Sequence, residues 1–85
     1  MEDFGLVLTG TLRNVSERTY RTEDGEKRTK IVAVVDTGRD WLVEVSIRRD
    51  DVPGVVRALE PLKGETVSME VSNGHYRSLW FEGLR

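Results

Sequence analysis

The chain lacks cysteine altogether, and it has one histidine and only two prolines in 85 residues. Without cysteine it forms no disulfide and offers no thiolate to a metal ion, which fits a reducing compartment. No apolar stretch approaches the ~20 residues that span a bilayer. The acidic start MEDFGLVLTG lacks the basic-then-apolar order of a signal peptide. The length predicts a single domain, and these absences predict that it is soluble and cytoplasmic, with no membrane partner.

Residues suited to catalysis are equally scarce. His75 is the single histidine and stands beside a predicted turn, where a histidine is usually a solvated side chain rather than a general base. The sequence has no glycine-rich phosphate loop followed by lysine. Asp36 and Asp40 flank one turn and are candidate ligands for a hard cation, but Asp and Gly at such a position also serve the turn geometry itself. We therefore expect no enzyme, no cofactor and no metal site.

Charged residues make up 33% of the chain, yet the net charge is only −2. The distribution is uneven. Residues 13–30 carry six basic and four acidic side chains, a sum of +2, whereas residues 50–70 carry two basic and five acidic ones, a sum of −3. Proteins that coat nucleic acid are usually basic overall, so any nucleic-acid site is expected on the local basic segment.

Residues 30–47 form the predicted centre of the fold. Residues 31–35 are a continuous run of apolar, mostly β-branched side chains, which is typical of a strand buried on both faces. Residues 41–47 alternate instead, with every second side chain facing one way, as in a half-buried strand. Gly38 in the turn between them is free to adopt a positive φ. The rest of the chain is expected to wrap around this hairpin.

Three further strands are predicted, over residues 4–15, 66–72 and 75–85. Gly10 lies within the first of them, and a glycine in mid-strand is typical of the bend that lets a small sheet curl. Residues 52–59 predict a short amphipathic helix, because acidic residues precede the segment, a proline stands in its first turn, and its apolar residues share one face.

This order of three strands, a short helix and two strands predicts an all-β fold. We expect a five-stranded antiparallel Greek-key barrel of the OB type, with the helix between strands 3 and 4, because closure removes the exposed edges of so small a sheet. Another small barrel, such as an SH3-like one, is the alternative. Residues 16–29 are polar with a turn at Asp24-Gly25, which predicts a two-stranded ribbon projecting from the barrel.

Aromatic and basic side chains outside the predicted core are the candidate binding residues, because single strands of nucleic acid are held by stacked bases and neutralised phosphates. Tyr76 follows the Asn73-Gly74 turn with the outward phase of the last strand, and Arg77 lies beside it. Tyr20 is the one aromatic residue of the ribbon. The candidate nucleic-acid-binding residues are Tyr76, Tyr20, Arg18, Arg21, Arg28, Lys30 and Arg77.

Two stretches resemble the single-stranded DNA-binding (helix-destabilising) proteins of filamentous phages. In residues 31–47 an aliphatic strand leads into Val35-Asp36-Thr37-Gly38, then Asp40-Trp41, then alternating apolar residues. In residues 74–85 a glycine turn is followed by Tyr76, Ser78-Leu79, Phe81 and Leu84-Arg85. The resemblance implies an OB-type barrel that dimerises and coats single strands cooperatively.

The resemblance also implies roles for particular residues. The family's base-stacking aromatic on the last hairpin falls on Tyr76, and its ribbon cations correspond to Arg18 and Arg21. Arg28 stands where the family has a second stacking aromatic, and Ser46 stands where it has a lysine.

Trp80 has the same outward phase as Tyr76, and an exposed tryptophan usually marks an interface. Trp80 and Trp41 are therefore the candidate interface residues, and a homodimer is the expected assembly. The predicted function is sequence-tolerant binding of single-stranded DNA in the replication of a phage, plasmid or bacterial genome. The alternatives are a protein-interaction or assembly module that uses the two tryptophans and the acidic residues 50–70, and an RNA-binding barrel.

Overall fold

The computed structural model describes residues 6–39, 42–73 and 79–85. These residues form five strands and one α-helix, with a short 3-10 segment on each side of the helix (Arg49–Asp51 and Glu60–Leu62). The elements are β1 (Leu6–Arg21), β2 (Lys27–Asp36), β3 (Val43–Ile47), α1 (Val52–Leu59), β4 (Thr66–Asn73) and β5 (Leu79–Leu84). The predicted order of elements, three strands, a short helix and two strands, is confirmed.

The five strands make one sheet that closes on itself in the order β1-β2-β3-β5-β4, with β4 paired back to β1. Four of the pairings are antiparallel, but β3 and β5 run parallel, with Val45 opposite Leu79 and Ser46 opposite Trp80. The prediction of a purely antiparallel sheet is therefore wrong. Strand directions cannot alternate around a closed ring with an odd number of strands, so five strands require at least one parallel pair.

β1 serves two partners because it bends. Its first part, up to Thr11, pairs with β4, and the part from Thr11 to Arg21 pairs with β2, with a register shift between Leu12 and Asn14. Gly10 lies at the bend. A Cβ atom placed there would lie 2.5 Å from the carbonyl oxygen of Asp36 and 2.9 Å from Cγ1 of Val35. The absence of a side chain thus allows β1 and β2 to approach closely where the sheet curls.

The core lies inside the closed sheet and takes side chains from every strand and from the helix. Leu12, Val35 and Met69 are fully buried, and β4 alternates along its length, with Val67, Met69 and Val71 inward. The buried cluster comprises Leu12, Ala33, Val35, Val45, Ile47, Leu59, Val67, Met69 and Val71, with Leu79 and Phe81 of β5 partly buried against it. The described end of β5 is less enclosed, since Leu84 is 40% exposed.

α1 begins and ends at the predicted residues, Val52 and Leu59. Its apolar face packs on the cluster through Val52, Val55 and the fully buried Leu59. Pro53 occupies the first turn, where its missing N–H has no intrahelical acceptor to lose. None of the helices in the described ranges has the length and apolar character needed to cross a bilayer.

Gly10→Ala is expected to lower the free energy of unfolding by roughly 1–3 kcal/mol, because the added methyl group displaces either backbone or a packed valine. Urea-induced unfolding measures the change. Gly83→Ala is the matched control, since a Cβ atom on Gly83 would meet nothing within 4 Å. Equal stability of the two variants would show that the close approach at Gly10 is not tight.

Candidate nucleic-acid interface

The polar arm between the first two predicted strands is a two-stranded ribbon. β1 continues to Arg21 and β2 starts at Lys27, joined by a turn in which the Thr22 N–H donates to the Glu26 carbonyl at 2.9 Å. Gly25 takes the positive φ of 87° that this turn requires. The pairing of β2 with β3 starts only at Ile31. The four pairs from Arg18–Lys30 to Arg21–Lys27 therefore extend beyond β3 as a two-stranded overhang.

Several basic side chains of the basic segment are already neutralised by carboxylates. Arg13 pairs with Asp36 at 2.8 Å, Arg18 with Glu44 at 2.8 Å, and Arg28 more loosely with Glu26 at 3.3 Å. Arg21 donates to the carbonyl oxygen of Gly25 at 3.3 Å, within the turn. The predicted cations of the ribbon are thus present, but most of them are tied to partners on the protein.

The outer face of β2 is covered as well as the inner one. Val32 is fully buried and Val34 is 5% exposed, although neither belongs to the central cluster. Arg18 stands opposite Lys30 and Glu44 stands opposite Val34, so the ion pair between them crosses β2 at the level of Val32. The charged end of Arg18 meets Glu44 on the outer side of this strand.

A groove of about 450 Å³ lies at the rim where β3 ends, beside the overhanging ribbon. Two aromatic residues, two cations, a short aliphatic floor and one carboxylate contribute to its walls. The lining residues are Tyr20 and Trp80, Lys30 and Arg49, Ile31, Ile47, Val52 and Pro53, with Glu17 and Thr29. The groove combines residues from β1, β2, β3, β5 and the segment formed by the first 3-10 turn and the start of α1, so it exists only in the folded chain.

The two aromatic rings of the groove each have a cation close by. The ammonium of Lys30 is 5.8 Å from the centre of the Tyr20 ring, and the guanidinium of Arg48 is 5.3 Å from that of the Trp80 ring. Both distances are within the range of cation–π attraction. Arg48 itself is not among the residues that line the groove. The indole of Trp80 therefore has Arg48 on one side and borders the groove elsewhere.

Arg48 is held in place by the neighbouring strand. Its guanidinium donates to both carboxylate oxygens of Glu82, at 3.1 and 2.8 Å, and to the carbonyl oxygen of Phe81 at 3.3 Å. The hydroxyl of Ser72 donates to the same carboxylate. The hydrogen bonds from Arg48 and Ser72 hold the pKa of Glu82 below its ordinary value, against the opposing effect of partial burial. This network fixes the cation against which Trp80 rests.

The predicted site residues fall into three groups: those that line the groove, those that lie elsewhere on the ribbon, and those outside the described residues. Tyr20 and Lys30 meet at the groove, whereas Arg18, Arg21 and Arg28 lie on the ribbon and make the contacts described above. Trp80, predicted to be an exposed interface residue, is half-buried and lines the groove. Tyr76, Arg77 and Trp41 lie outside the described residues.

Arg49 and Glu17 are groove residues that sequence reasoning missed. Arg49 belongs to the 3-10 segment before α1, where the sequence pattern indicates only the approach to a helix. In the sequence, Glu17 is only one of the four acidic residues of the basic segment 13–30. Strand alternation places Glu17 on the face opposite Arg18, which is the face of Ile31.

The turn after β2 is the candidate cation site of the sequence, and in its described part the Asp36 carboxylate already has hydrogen-bond partners on the protein. The carboxylate of Asp36 accepts hydrogen bonds from Arg13 and from the Gly38 N–H, which together hold the pKa of Asp36 below its ordinary value. Asp40 lies outside the described residues. Among residues 6–39, 42–73 and 79–85, no group of three or more His, Cys, Asp or Glu side chains is placed to hold a metal ion.

Comparison with family models, with curated proteins and with solved structures gave no match to this chain. The resemblance to the phage single-stranded DNA-binding proteins therefore stays a prediction made from the sequence.

Acid should weaken the fold partly through Glu82. Its carboxyl binds a proton less readily in the folded chain than in the unfolded one, so the network stabilises the fold above the ordinary glutamate pKa. That contribution is lost as the pH falls through the folded-state pKa. Glu82→Gln is expected to flatten the fall of Tm between about pH 5 and pH 3. Thermal unfolding followed by circular dichroism measures this slope.

Glu23→Gln, in the turn of the ribbon, is the control for the loss of one carboxylate. An acid-induced fall of Tm in Glu82→Gln as steep as in the parent protein would show that the Arg48–Glu82 pair contributes little. Asp36 retains its own bonds to Arg13 and Gly38, so part of the slope should remain in the Glu82 variant.

Proposed function

We propose that this chain is a sequence-tolerant single-stranded DNA-binding protein built on an OB-type barrel, acting by stacking and phosphate neutralisation without catalysis. Support for the barrel comes from the closed strand order β1-β2-β3-β5-β4 and from the helix between β3 and β4. The phage family that the sequence resembles is of the same type. Assembly as a homodimer and a role in DNA replication belong to this proposal as implications of that resemblance.

The observation that carries the proposal is the groove in which Tyr20 and Trp80 occur together with Lys30 and Arg49. Aromatic faces that accept any base, beside cations that meet the phosphates, are what sequence-tolerant binding of a single strand requires. The aliphatic floor gives the sugar and the base an apolar surface. On the ribbon, Arg28 stands opposite Tyr20 and shares its face, whereas Arg21 lies on the other face. Tyr76 and Arg77 are proposed to extend the path on the last hairpin.

The charge balance sets the expected strength of this binding. Arg13, Arg18 and Arg48 are paired with carboxylates, and such a cation gives up a partner when it turns to a phosphate. Lys30 and Arg49 take part in no ion pair among the described residues. We therefore propose that few phosphates are neutralised, so that stacking contributes more to the affinity than charge does.

A protein-interaction module is the second candidate. The same pairing of arginines with carboxylates favours it, because it leaves a surface of balanced charge with a net charge of −2. In this case the groove and Trp80 would receive a side chain of a partner protein. RNA is a further alternative for the first proposal, since stacking and phosphate contacts serve both nucleic acids.

Titration with an oligo-dT of about 20 nucleotides tests the proposal through intrinsic tryptophan fluorescence. Binding is expected to quench the fluorescence to saturation at low salt, and the affinity should fall when the titration is repeated near about 0.3 M salt. The salt dependence should be shallow, because few counterions are released. An unchanged spectrum at low salt would contradict the proposal and favour the protein-interaction module.

Substitutions at Tyr20 test whether stacking occurs in this groove. Tyr20→Leu is expected to weaken oligo-dT binding by roughly 1–3 kcal/mol, the contribution of one stacked base, while Tyr20→Phe keeps the ring and should bind as the parent does. Anisotropy of labelled DNA gives the affinities. Tyr76→Ala should cost a similar amount without affecting folding. Normal binding by Tyr20→Leu would place the strand elsewhere.

A further inference from the structure

Glu17 is the one acidic side chain among the residues that line the groove. It lies on β1 opposite Ile31, whose side chain forms part of the aliphatic floor. Asp36, Glu44 and Glu82 are each paired with an arginine, whereas Glu17 takes part in no ion pair among the described residues. Its carboxylate is therefore available to a molecule that enters the groove.

A carboxylate in a phosphate-binding groove needs an explanation, because it repels the phosphates. Lys30 and Arg49 carry two positive charges against the one negative charge of Glu17, so the groove still attracts an anion. An ionised carboxylate accepts hydrogen bonds and cannot donate them, and within a DNA strand the groups of a nucleotide that donate are on the base. Carboxylates are known to accept from the exocyclic amino group of cytosine. Thymine has no amino group, and its single ring N–H lies between two carbonyl oxygens that repel a carboxylate.

We propose that the groove is a subsite for one nucleotide and that Glu17 reads its base, favouring bases with an exocyclic amino group over thymine. The base lies on the aliphatic floor beside Glu17, its phosphate lies near Arg49, and its amino group donates to the Glu17 carboxylate. A volume of about 450 Å³ is within the usual range for small-ligand sites. This inference rests on the proposed function and adds a base preference to otherwise sequence-tolerant binding.

Homopolymers test the preference because the subsite then meets the same base in every binding register. Oligo-dC and oligo-dT of equal length, labelled identically, are compared by anisotropy at low salt and mildly alkaline pH, where cytosine is unprotonated and does not self-pair. The parent protein is expected to bind oligo-dC about fivefold more tightly than oligo-dT, the effect of one good hydrogen bond to a base edge. Glu17→Gln should bring the ratio close to one, because an amide accepts from cytosine and donates to thymine equally well.

Glu23→Gln is the matched control, since it removes the same charge from the ribbon at a position outside the groove lining. It should raise the affinity for both oligomers slightly and leave their ratio unchanged. Thermal unfolding verifies that both variants are folded.

Two results would overturn the inference while leaving DNA binding intact. These are equal affinities of the parent for the two oligomers, and a dC preference that persists in Glu17→Gln. A parent protein that binds neither oligomer would overturn the proposed function, and the base preference with it.

Discussion

The burial of β2 on both faces is the constraint on which the rest of this structure depends. Val32, Ala33 and Val35 are fully buried and Val34 nearly so, so this strand exposes no apolar face to water. One face is covered by the core inside the closed sheet. The other is buried as well, and the ion pair between Arg18 and Glu44 crosses the strand on that side. The hydrophobic effect thus accounts for the central position of β2, and the Arg18–Glu44 salt bridge lies over the outer face of that strand.

That arrangement also decides where a ligand is able to bind. A covered outer face with Glu44 among its residues is poorly suited to a nucleic-acid backbone, whereas the rim, where β3 ends and the ribbon extends past it, holds a groove with aromatic and basic side chains. The parallel pairing of β5 with β3 brings Trp80 to this rim. Closure of a five-stranded ring is therefore not only a matter of stability, because it supplies one of the two aromatic walls of the groove.

Much of the fold is predictable from the local pattern of apolar and polar residues in the sequence. The alternation in β4, the apolar run in β2 and the limits of α1 follow from residue spacing, because side-chain period distinguishes strand from helix. The parallel pair was missed, since strand direction depends on how many strands close the ring. At the site, Tyr20 and Lys30 were identified as candidates from residue type. Arg49 and Glu17 were not, because nothing near them in sequence indicates a shared cavity.

The sequence alone determined which residues are apolar, which segments alternate and where the chain turns, because these depend on contacts between residues close along the chain. Only the tertiary structure decided which charged side chains form ion pairs with one another and which form none among the described residues. Arg18 and Glu44 are 26 residues apart, and Arg48 and Glu82 are 34 apart, so no local pattern predicts either pair. The groove has the same origin. Its walls come from five separate segments, and the closure of the sheet is what assembles them.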